Sequence, residues 1–123
     1  MEIRTHKDLL VWQKSIDLVC TVYSILKQYP KEELFAISNQ MRRCVVSIPA
    51  NIAEGCGRKS KAELSQFLHI ALGSASELET FFVISQKLNY ITSEEYDKLN
   101  SSLLEIIKMI SGLGKKLQAT CNS

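Results

Sequence analysis

The sequence predicts an all-α protein, an up-down-up-down antiparallel four-helix bundle. Apolar residues recur at alternating spacings of three and four along four stretches, which is the period of a helix with one buried face. Three of those stretches open on a Ser/Thr residue followed three positions later by Asp or Glu, the pattern of a capping box. No stretch carries a strand signal, and the connections are short, which favours antiparallel neighbours.

In the first stretch Leu9, Trp12, Ile16, Val19, Tyr23 and Leu26 form the stripe. Thr5 and Asp8 supply a capping box and Pro30 a stop, so a helix is expected over about 6–29. After the connector KEELFAI, Ser38 is the expected N-cap of a second helix with Met41, Cys44 or Val45, Ile48 and Ile52 inward. Pro49 lies well inside it, where a proline removes the hydrogen bond to the Val45 carbonyl and ordinarily kinks the helix. Gly55 and Gly57 are the expected stop, through the left-handed conformation open to glycine. Ser60 and Glu63 open a third helix with the stripe Leu64, Phe67, Ala71, Ala75, Leu78, Phe82, Ser85 and Leu88. Thr92 and Glu95 open a fourth, with Tyr96, Leu99, Leu103, Ile106, Ile110, Leu113 and Leu117.

Bulk properties narrow the function classes. A chain of 123 residues with 46% apolar and 23% charged residues is one globular domain by length and can bury a sizeable core. A formal charge of +2 does not by itself imply a nucleic-acid partner, so any such surface must come from local clustering. No run approaches the roughly 18 uninterrupted apolar residues of a membrane span, and the N-terminal residues do not read as a signal peptide, which points to the cytoplasm and to no membrane partner. Cys20, Cys44, Cys56 and Cys121 form no C-x-x-C pair and have no histidine at zinc-finger spacing, so neither a metal site nor another cofactor is expected. Cys56 alone stands near cations, which favour a thiolate.

The helices carry more apolar surface than one seam needs. Val11, Leu18, Val22 and Ile25 on the first, Leu72, Phe81 and Val83 on the third, and Leu104 and Ile107 on the fourth add a second flank. That flank fits either a wide monomer core or a subunit interface.

The run SNQMRRCVVSIPANIAEGCGRKSKAELSQFLHIALGSASELET, preceded by DLLVWQKSIDLV and followed by LNYIT, resembles the four-helix bundle family encoded in intervening sequences of bacterial 23S rRNA genes. That family is similar to the accessory variability determinant of diversity-generating retroelements. The resemblance implies a ring-shaped homopentamer. Its retroelement branch implies a basic, non-catalytic partner of a reverse transcriptase and of nucleic acid. Its intervening-sequence branch implies an association with RNA by genomic context. The matching motif brings forward Gln40, Arg42, Arg43, Ser47, Pro49, Asn51, Glu54, Gly55, Arg58, Gly73, Ser74 and Glu77.

Gln40, Arg43, Ser47, Asn51 and Glu54 are spaced 3, 4, 4, 3 along one helix face, and Gln66, His69, Gly73, Glu77 and Thr80 follow the same rule on the next helix. A turn centred near 58 and 59 would set Gln40 level with Glu77 and bring Arg43 within reach of Glu77. Facing polar stripes can form a catalytic groove. A structural network of Gln40, Arg43, Ser47, Asn51, Glu54, His69 and Glu77 is favoured, because no nucleophile and base stand together. The enzyme reading, through Arg43, Glu54, His69 and Glu77, ranks last. Arg42, Arg58, Lys59 and Lys61 are the candidates for phosphate contacts, in a segment where five cations face only Glu54 and Glu63. A solvated turn accounts for them in a single subunit. A ring would repeat them on one rim, able to meet an RNA or DNA backbone. The expectation is a non-enzymatic oligomeric binding or scaffold protein, with a protein-interaction adaptor free of nucleic acid as the alternative.

Overall fold

The computed structural model describes residues 5–121, with side chains through residue 116. It contains α1 (Leu10–Leu26), α2 (Ile37–Cys56), α3 (Lys61–Lys87) and α4 (Ser93–Cys121), with short 3-10 turns at His6–Asp8 and Lys31–Glu33. Each helix packs against its two neighbours in a closed cycle, α1 on α2, α2 on α3, α3 on α4 and α4 on α1. No strand occurs among the described residues, so the all-α four-helix bundle expected from periodicity is the fold.

The first helix starts later than its capping box implies. The Thr5 hydroxyl accepts from the Lys7 N–H and the Asp8 carboxylate accepts from the Thr5 N–H, but this box closes a single 3-10 turn. Leu9 is then extended, and α1 begins at Leu10. Its buried face is Val11, Ser15, Leu18, Val22 and Leu26, three residues of the second flank and Leu26 of the expected stripe, while Leu9, Trp12 and Val19 of that stripe are half-buried at its edge. Ser15 interrupts that face in the sequence. Its hydroxyl donates to the Val11 carbonyl at 2.7 Å, which satisfies the buried group inside its own helix.

In α2 Ser38 is not the N-cap. The helix starts one residue earlier, after Ala36, with no side-chain cap, and Ser38 is buried. Pro49 is also buried, within a helix that continues to Cys56. Gly57 ends the helix at φ −82°, so the expected left-handed glycine stop is not used; Asn89 after α3 is the described residue at positive φ, 62°. Gly55 serves close approach instead. A Cβ there would lie 2.8 Å from Leu64 Cδ1 and 2.9 Å from Phe67 Cβ.

The remaining caps form as the sequence implies. Ser60 accepts from the Glu63 N–H at 3.1 Å, and Thr92 and Glu95 exchange both bonds of a capping box, at 2.9 and 3.0 Å. Val22, Met41, Val45, Ile48, Ile52, Ala71, Leu78, Phe82, Leu103 and Ile106 fill the centre, drawn from all four helices. Leu117 of the expected α4 stripe and Cys121 lie outside the described side chains. Among the described residues α3 is the helix long and apolar enough to cross a membrane, yet it packs on α2 and α4; only 28% of its apolar window is buried.

Candidate functional site

Extensive packing of α2 on α3 sets the site. Ser47 and Ser74 meet across the two helices with hydroxyl oxygens 2.7 Å apart, and Asn51 donates to the Ser47 carbonyl at 2.7 Å and to its hydroxyl at 2.9 Å. Ser47 is therefore level with Ser74, where the turn-centred register places Arg43. The shift is about one helical turn. At the turn the glycine at 55 lets α2 run close past Leu64 and Phe67.

The register alone does not decide the expected pairs, because it leaves Arg43 within one residue of level with Glu77. Arg43 is exposed, and among the described residues no ion pair joins it to Glu77. Glu77 instead lies beside Cys44. Burial, together with the Glu77 carboxylate, pushes that thiol up to about 12, which keeps it protonated at neutral pH. Gln40 is exposed, and its side chain joins none of the described hydrogen bonds. His69 stands exposed on the other flank of α3, toward α4, away from Ser47 and Asn51. Of the seven residues expected in one network, Ser47 and Asn51 share hydrogen bonds, with Ser74 as their partner.

Glu54 belongs to a second cluster around Arg58. The Arg58 Nη2 approaches Glu54 Oε1 to 2.6 Å and its Nη1 lies 3.8 Å from Glu63 Oε2, while the guanidinium sits 5.0 Å above the Phe67 ring. Two carboxylates and an aromatic face thus claim this arginine. Arg42 is half-buried with its guanidinium 5.7 Å from the Tyr23 ring centroid. Lys59 and Lys61 are exposed and enter none of the described ion pairs. Of the four candidate cations, these two are the most available to a phosphate. Burial pushes the Cys56 thiol up, so the cations near it in sequence do not make it a thiolate.

The sequence reading missed two features. Phe35 in the connector before α2 is 90% exposed, with Leu34 beside it at 45%. On the outer face of α3, Ile70 is 50% and Ile84 38% exposed, whereas Phe81 and Ile107 are half-buried and pack against the core. Among the described residues no three His, Cys, Asp or Glu side chains converge as a metal site would require.

Fold and site together define a small all-α bundle with a polar seam between its central helices and a cation clasp at their turn. Residues 7–112 match the family model of the 23S rRNA-intervening sequence protein, and the chain belongs to that family. It is similar over 86% of its length to a crystal structure of a protein of unknown function from the S23 ribosomal protein family of Bacteroides thetaiotaomicron, with 32% identity, 96% of that chain covered and a TM-score of 0.80. No curated protein matches the chain.

Proposed function

We propose that the chain is a non-enzymatic, cytoplasmic binding or scaffold protein that assembles into a homo-oligomer, a pentameric ring, and associates with RNA or with an enzyme that acts on nucleic acid. The observation that carries this reading is the outer face of α3, where Ile70 and Ile84 stand in solvent on a helix whose polar groups do not converge on a reacting centre. Burying such side chains against another subunit removes apolar surface from water at about 25 cal/mol per Å². The 23S rRNA-intervening sequence family supports RNA as the partner class. Lys59 and Lys61, repeated around a ring, would supply backbone-directed contacts of low sequence specificity.

Light scattering at micromolar concentration tests the assembly, with a mass several times the 13.9 kDa chain expected. Ile70→Glu with Ile84→Glu should return the particle to monomer with its helical content kept, because neither side chain belongs to the core. A monomeric wild type would end the ring reading. The clasp on Arg58 favours a second reading, an adaptor with no nucleic-acid contact, since it leaves each subunit few available cations at the turn.

A further inference from the structure

The groove between α3 and α4 plays no part in the seam or the clasp. It encloses about 210 Å³, less than the roughly 300–1,000 Å³ of a drug-sized pocket and of a size for one flat ring system. Leu68 and Ile110, both buried, and the half-buried Leu72 form an apolar floor. His69 adds an exposed aromatic ring at its edge, and the hydroxyls of Ser65 and Ser111 can donate to or accept from a polar ring edge. Lys115 stands at the mouth, and Lys61 lies one turn before Ser65 on the same flank of α3. Among the described residues no carboxylate lines the groove, and neither lysine enters a described ion pair.

We infer that this groove takes one unstacked nucleobase of single-stranded RNA, a reading that rests on the RNA association proposed above. An apolar floor beside an aromatic ring suits the face of a base, hydroxyls suit its edge or a ribose 2′-OH, and flanking ammonium groups suit the phosphates on either side. Charge complementarity selects this occupant, because a polyanion meets two free lysines and no acid. The groove shares Lys61 with the turn, so the base contact is tested with variants that leave both lysines in place.

The test is fluorescence anisotropy of the full chain with a labelled ten-nucleotide oligouridine and with an abasic RNA of equal length. Wild type should prefer the base-bearing strand by roughly tenfold, the size of one base-stacking contact. His69→Ala removes the ring. Gly114→Leu fills the mouth, and a Cβ at position 114 meets nothing within 4 Å, so the fold should tolerate it. Each should abolish the preference while weak binding of the abasic strand persists. If both variants keep the preference, the groove is not the site and the proposed RNA association still stands. If neither strand binds wild type at low salt, that association fails and takes the groove with it. Should Gly114→Leu lower the particle mass, a neighbouring subunit covers the groove and the inference is overturned.

Discussion

The hydroxyl oxygens of Ser47 and Ser74 meet at 2.7 Å across α2 and α3, and this contact marks a register that sets Cys44, rather than Gln40, level with Glu77. Hydroxyls that bond each other and also receive Asn51 form a coupled unit. Ser47→Ala and Ser74→Ala should each cost about 0.5–1.5 kcal/mol, and the double variant should cost less than their sum. Arg43→Ala and Glu77→Ala should be nearly additive. Urea denaturation of all six variants decides it, and strong coupling between Arg43 and Glu77 would mean that these two side chains do pair.

Two glycines should respond to alanine with opposite sign. At Gly55 the new methyl meets Leu64 and Phe67 at under 3 Å, so α2 and α3 must separate or Phe67 must move. Overpacking of this kind costs about 1–3 kcal/mol. At Gly73 nothing stands within 4 Å, and alanine in a helix interior gains about 0.5–1 kcal/mol over glycine. Thermal melts should therefore move down for Gly55→Ala and up for Gly73→Ala.

Helix number, the caps of α3 and α4 and most of the core of α3 and α4 were legible because apolar period and capping chemistry are local. The rotation of α1 was not. Ser15 looks polar in sequence, and only its bond to the Val11 carbonyl makes it fit for burial. The register of the hairpin was out of reach for a different reason: it shows only in contacts between α2 and α3, such as Ser47 with Ser74, which are tertiary. The clasp escaped for the same reason, since Arg58 and Glu54 sit at helical spacing but Phe67 joins them only once the turn is formed. The exposure of Phe35 was not legible either, as nothing local distinguishes a buried connector from an exposed one.

Stability should fall in acid partly through Glu95. The Thr92 backbone N–H, and after it the Gln28 side chain, hold this carboxyl below its ordinary value. A group whose folded pKa is depressed contributes stability that is full above its unfolded pKa, about 4.3, and lost as pH falls through the folded value. Glu95→Gln keeps an acceptor for the cap but has no proton to take up. Chemical denaturation between pH 6 and pH 3 should show a shallower decline for Glu95→Gln than for wild type; equal slopes would mean that other carboxylates carry the effect.

Arg58 and its neighbouring lysines should separate into a structural cation and two binding cations. Arg58 already faces Glu54 and Glu63 and covers Phe67, so a phosphate would have to displace a carboxylate to reach it. Arg58→Ala should therefore cost stability, on the order of 1 kcal/mol for an exposed pair with a ring contact, and leave the salt dependence of RNA binding almost unchanged. Lys59→Ala with Lys61→Ala should do the reverse. Each lost phosphate contact lowers the slope of log affinity against log salt by about 0.7 on a single strand, so the pair should remove about 1.4 with melting temperature preserved. Titrations at four salt concentrations give the slopes. If Arg58→Ala flattens the slope as much as a lysine variant does, the clasp opens on binding and all three cations belong to the interface.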